Sequence, residues 1–125
     1  MAGYATAGGA AIWTPPRFDP TSTAAILRDI DRAPERVRLA DLSPRLGVTP
    51  KTQNTVIREH LLEAERLGGR GNPYAITRDE ARTLLLAVVL AAAAGIALAV
   101  MLRGVKGAGL TGSVAAEVLR SAVPT

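Results

Sequence analysis

Apolar and polar positions alternate with different periods along the chain, and each period predicts an element. Ala24, Ala25, Ile26, Leu27 and Ile30 recur at helical spacing against Arg28, Asp29, Asp31 and Arg32. That predicts a first helix, capped by Thr21 or Ser22 and ended by Pro34. Val37 and Leu39 then alternate with Arg36 and Arg38, a period of two that suits one short strand. A second, short helix is expected within Ala40 to Leu46. Pro44 sits inside it, and proline is tolerated only in a helix's first turn, so either Ser43 caps a single turn or the helix is irregular. Gly47 breaks the chain, Val48 points inward, and Thr49 with Pro50 forms an N-cap and first-turn pair that opens a third helix. Thr52, Val56 and Leu61 or Leu62 carry that helix through KTQNTVIREHLLEAERL to Leu67. A flexible basic turn follows over Leu67 to Pro73, and Tyr74, Ala75 and Ile76 make a short return strand.

The next stretch has no polar face at all. Residues 84–102, LLLAVVLAAAAGIALAVML, carry no charge and no strong hydrogen-bonding side chain, with Arg78 and Arg82 before them and Arg103 and Lys106 after. Leu and Ala without Pro predict one continuous helix, and nineteen such residues cover about 28 Å, close to a bilayer's hydrocarbon thickness. Thr77, with Glu80 three residues on, forms a capping box that launches it. Ala87, Ala91, Gly95 and Ala99 recur every four residues, a small-residue stripe along which a second helix can approach.

Three roles fit such a helix: a transmembrane anchor, a dimerisation helix, or burial inside a large assembly. Bracketing charges and length favour a single-pass anchor in membrane lipid with the N-terminal domain in the cytoplasm; a soluble cytoplasmic dimer is the alternative. Either way, residues 84–102 imply a homo-oligomer or a helical protein partner. Glycines at 104, 107, 109 and 112 then make a hinge, and Thr111 or Ser113 caps a last weak helix, Val114 to Val123. At the other end, residues 1–20 mix Gly, Ala and three prolines without a period, an extended or disordered arm whose Trp13 and Phe18 either dock it onto the domain or meet a partner or an interface.

Composition narrows the chemistry. The 125 residues include no Cys and one His, His60, which leaves no disulfide framework and no metal cluster. No leader with a basic start and an apolar core is visible over Met1 to Ala11. Net charge is +4 with a pI near 10.3, mild evidence for an anionic partner. Phosphate-loop, dinucleotide, zinc-protease and nucleophile-elbow motifs are missing, so neither catalysis nor a cofactor is expected. Paired carboxylates such as Asp29 with Asp31, or Asp79 with Glu80, suit helix starts and surfaces.

Taken in order, the first helix, then APERVRLADLSPRLGVTPKT, then GGRGNPYAITRDEARTLL resemble the winged-helix DNA-binding domain of MarR-type and ArsR-type bacterial regulators. The GVTPKT turn and the tyrosine-containing strand are also similar to the MerR-type domain. The resemblance covers residues 24–83 and implies a transcriptional regulator that binds double-stranded DNA. Together with the pattern read above, the expectation is a mainly α chain: an arm over 1–20, a winged helix-turn-helix over 21–77, one long apolar helix over 78–103, and a hinge with a short helix over 104–125. Groove-facing roles fall to Thr49, Lys51, Thr52, Asn54, Thr55 and Arg58, with Arg70 and Asn72 at the wing tip. Two positions depart from the pattern. Gln53 stands where such domains place an apolar residue, and Pro44 stands where the motif's first helix should be regular. Glu59, Glu63 and Glu65 would repel phosphate if they faced it. The alternative is a non-enzymatic structural or interaction subunit whose similar module contacts protein.

Overall fold

The computed structural model describes residues 20–67, 71 and 73–122. Residues 1–19 of the arm expected over 1–20, with Trp13 and Phe18, and the wing-tip residues Arg70 and Asn72 lie outside them, while Pro20 already belongs to the first helix. Among the described residues the chain forms six helices and a small three-stranded sheet.

Helix α1 spans Pro20–Arg32 and buries Ile26, Leu27 and Ile30. Strand β1, Arg36–Arg38, turns Val37 partly inward between two exposed arginines, as its alternation requires. Helix α2, Leu39–Leu46, runs straight through Pro44. Pro44 has no N–H to give the carbonyl of Ala40, an exposed residue, so the helix goes without that one bond.

Helix α3 is Pro50–Arg58, nine residues, and so ends well short of Leu67. His60 turns into the left-handed region at φ 58, and the N–H groups of Leu61 and Leu62 both fall back on the Val56 carbonyl, at 2.9 and 3.2 Å. The reversal drops Leu62 into the core, a burial that a straight helix over the same residues does not provide. Strand β2, Glu65–Arg66, and strand β3, Tyr74–Thr77, follow. The sheet order is β1-β3-β2, antiparallel throughout, with Val37 opposite Ile76 and Glu65 opposite Ala75.

The single apolar helix expected over 78–103 is instead two helices. Helix α4, Arg78–Ala94, stops at Gly95, whose φ of 68 and ψ of 33 place it in the left-handed region, and helix α5, Leu98–Gly107, starts after a three-residue corner. Helix α6, Gly112–Ala122, closes the described chain. α4 packs against α1, α5 and α6, and buries Leu84, Leu85, Leu86, Ala87, Val88 and Ala91 within its own chain.

No helix among the described residues is long and apolar enough to cross a membrane. α4 has 17 residues with four charges in its first five positions, and α5 has ten with Arg103 and Lys106 among them. Neither spans roughly 30 Å of hydrocarbon. The single-pass anchor, its lipid contact and the topology drawn from it are thereby withdrawn. Ala87, Ala91, Gly95 and Ala99 do not share one helix either: the first two are buried in α4, Gly95 ends it, and Ala99 is half-buried on α5.

Polar contacts fasten the layers. The Thr77 hydroxyl accepts from the Glu80 N–H at 3.1 Å, the forward half of the expected capping box. The Glu80 carboxylate reaches elsewhere, accepting from the Glu63 N–H at 2.9 Å and from Lys106 Nζ at 3.0 Å, which joins the α3–β2 turn, α4 and α5. Arg82 donates from Nε and Nη2 to Asp31 and from Nη1 to Asp79, and Arg120 donates to the other Asp31 oxygen. These bonds tie α1, α4 and α6. The hydrogen bond to Asp31, above all, raises the Arg82 pKa over the usual arginine range, against the opposing pull of partial burial.

Candidate nucleic-acid interface

The α2–α3 corner sets the pose of the candidate recognition helix. Gly47 takes φ 68 and ψ 21, which only glycine adopts without steric cost, and the Val48 N–H closes on the Ser43 carbonyl at 2.9 Å. Thr49 then caps α3: its hydroxyl oxygen accepts from the Thr52 N–H at 3.2 Å, and Pro50 occupies the first turn. Inside the angle between the two helices lie Leu42, Leu46, Val48 and Val56, all buried.

The same interior holds one polar pair. Ser43 Oγ donates to Gln53 Oε1 at 2.7 Å, and Gln53 is only 3% exposed. Gln53 therefore departs from an apolar pattern without leaving its oxygen orphaned, because the residue ten positions earlier supplies the donor. Spacing alone gave no sign of this pairing, since a serine inside a short helix ordinarily turns to water or to its own backbone.

On the opposite side of α3, Lys51, Asn54 and Arg58 are exposed and Thr55 is half-buried. At 3.6 residues per turn these four fall within an arc of about 100°. Gln53 and Val56 occupy the facing arc. Of the hydroxyls expected at the surface, two have local bonds: Thr49 donates to Thr52 Oγ1 at 3.2 Å, and Thr55 donates to the Lys51 carbonyl at 3.0 Å. Each keeps acceptor lone pairs only. The donors left pointing outward are the Lys51 ammonium, the Asn54 amide and the Arg58 guanidinium, and among the described residues no carboxylate stands within ion-pair distance of either cation.

The three glutamates beyond the helix are arranged differently from what their order suggests. Glu59 pairs with Arg103 of α5 at 3.3 Å, and Glu65 pairs with Arg36 of β1 at 3.3 Å. Glu63 stays exposed, but all of Glu63 and Glu65 lies past the reversal at His60, off the axis of α3. On the sheet, Arg38 and Arg66 are exposed without an acidic partner among the described residues. Arg66 stands on the strand that leads toward Arg70 and Asn72, and it was missed because the run around it read as helix.

A cavity of about 500 Å³ opens between the end of α3, the sheet and the start of α4, with Ile57, Leu62 and Ala75 toward its apolar side and Glu63, Glu80 and His60 among its polar lining. It carries no convergent arrangement of a nucleophile with a base. Comparison with family models, with curated proteins and with solved structures finds no match for this chain.

Proposed function

We propose that residues 21–77 act as a winged helix-turn-helix unit that binds double-stranded DNA, and that the chain is a non-enzymatic transcriptional regulator. The observation that carries the reading is the outer arc of α3, where Lys51, Asn54 and Arg58 present donors and, among the described residues, no carboxylate stands within ion-pair distance of either cation. The element order α1, β1, α2, α3, β2, β3 and the resemblance of the sequence support it. In this arrangement α3 enters the major groove, Asn54 reads a base edge, and Lys51 and Arg58 meet phosphate or guanine. Arg66 extends the cationic surface onto the wing strand. The ion pairs of Glu59 and Glu65 remove most of the repulsion those carboxylates would otherwise exert.

The test is fluorescence anisotropy of labelled duplex DNA over a salt series from about 50 to about 200 mM, where phosphate contacts give a steep loss of affinity. Replacing Lys51 and Arg58 together with Ala is expected to weaken binding on every sequence and to flatten the log–log salt slope by about 1 to 2. Binding of the native chain that does not depend on salt, or a double variant with an unchanged slope, overturns the proposal and leaves the module as a protein-contact surface.

A further inference from the structure

The one local signal that ends α4 is Gly95, in the left-handed C-cap position. Residues 84–102 contain one glycine and no proline, and the alanines on both sides of the corner favour helix, yet the chain leaves helix at Ala94 and re-enters it at Leu98. The corner itself is lightly held. Residues 93–97 are exposed, a Cβ added at Gly95 would meet nothing within 4 Å, and the local bonds are the Gly95 and Ile96 N–H groups on the Ala91 carbonyl at 2.9 and 3.1 Å.

The fold-back is instead held from downstream. Leu98, Leu102 and Val105 of α5 and Ala115, Ala116 and Leu119 of α6 are buried against the earlier part of the chain. Lys106–Glu80, Arg103–Glu59 and Arg120–Asp31 join the same two parts, and the buried Gly112 N–H donates to Thr83 Oγ1 at 3.0 Å. Each of these contacts pairs a residue after the corner with one before it. A second copy of the chain presents the same partners at the same distances. Because Lys106, near the end of α5, meets Glu80, in the first turn of α4, the two helices run antiparallel as a hairpin that opens about Gly95.

We infer that this chain forms a dimer with a second copy of itself by exchanging α5 and α6 across the Gly95 corner. In the exchanged form α4 and α5 run as one helix over residues 78–107, about 45 Å long, and α5 with α6 of each copy dock on α1, α3 and α4 of the other. The contacts given up within one chain return between two. Straightening also suits the helix preference of the alanines on both sides of the corner, at the cost of the Gly95 cap. Ile96 and Val100, 40% and 55% exposed in the single chain, come to the middle of the long helices where the two copies cross. Opposing the exchange are the entropy of association and the cost of bringing Gly95 inside each long helix, so the dimer fraction rises with concentration. This inference does not depend on DNA binding.

Two substitutions push the equilibrium in opposite directions. Gly95→Ala penalises the left-handed corner and favours the straight helix in both copies, which is expected to raise the dimerisation constant at least about a hundredfold. Ala97→Pro suits the corner, where Ala97 has φ −58 and is exposed, and breaks the straight helix, so that chain is expected to stay monomeric. Size-exclusion chromatography with light scattering, across a concentration series after warm incubation of the full chain, reads both.

A zero-length carbodiimide crosslinker then separates exchange from simple face-to-face association. Lys106 and Lys51 are the only lysines, and Lys106 Nζ lies 3.0 Å from Glu80 Oε2. In an exchanged dimer the amide between residues 80 and 106 joins two chains, and the product runs as a covalent dimer on a denaturing gel. A dimer whose 80–106 link stays within one chain overturns the inference. So does a native chain that remains monomeric at the highest concentration, whether or not Gly95→Ala folds.

Discussion

The hydrogen bond between Ser43 and Gln53 lends itself to a double-mutant cycle, because both residues are buried where α3 packs against α2. Ser43→Ala removes the donor and leaves Gln53 Oε1 short of that partner in a site 3% exposed. An acceptor orphaned in this way costs about 1 to 2 kcal/mol. Gln53→Leu is milder: the amide is lost, the Ser43 hydroxyl turns back to a carbonyl one turn earlier in α2, and the added apolar burial offsets much of the change, for about 0 to 1 kcal/mol. With both replaced, neither polar group remains, and an apolar pair of similar size costs about 0 to 1 kcal/mol. The cycle therefore predicts a double variant more stable than the sum of the singles by about 1 kcal/mol. Urea unfolding followed by far-ultraviolet circular dichroism measures it, provided the m values stay equal. Singles that add to the double within about 0.3 kcal/mol refute the reasoning, since that is the behaviour of residues that do not interact.

Two further expectations follow from single positions. Gly47→Ala places a Cβ at φ 68 and should destabilise the chain by about 1 to 2 kcal/mol, read as a lower urea midpoint; an unchanged midpoint would show that the α2–α3 corner has another conformation in solution. Asp31→Ala removes the acceptor shared by Arg82 and Arg120 and should cost about 1 to 3 kcal/mol. The Arg82 pKa is raised, chiefly by that acceptor, and a base raised in the folded state contributes stability at every pH below its unfolded value, losing it only as pH climbs past the folded one. The Asp31→Ala penalty should accordingly be the same at about pH 7 and about pH 10, and a penalty that vanishes by the higher pH would contradict the assignment.

Where sequence and structure part company, the cause lies at a distance from the residues concerned. Elements set by local chemistry were legible: the Arg36–Arg38 alternation, the Gly47 turn, the Thr49–Pro50 start of α3 and the Thr77 cap all lie where their residue types put them. The end of α3 was not, because GluHisLeuLeu reads as helix until Leu62 finds a core built from residues elsewhere in the chain.

The candidate surface divides the same way. Period 3.6 was enough to place Lys51, Asn54 and Arg58 together, whereas the neutralisation of Glu59 rests on an arginine 44 residues away and the satisfaction of Gln53 on a serine ten residues before it.

The apolar run is the clearest case. Nineteen residues without charge have two ways to leave water, and lipid is only one of them. Folded back at Gly95, the run gives α4 two further helices from its own chain and needs no bilayer to bury Leu84 through Val88. What the run's composition fixes is the demand for apolar neighbours. It does not fix which helix supplies them, and the same indifference lets a second copy's α5 and α6 take the place of the first's.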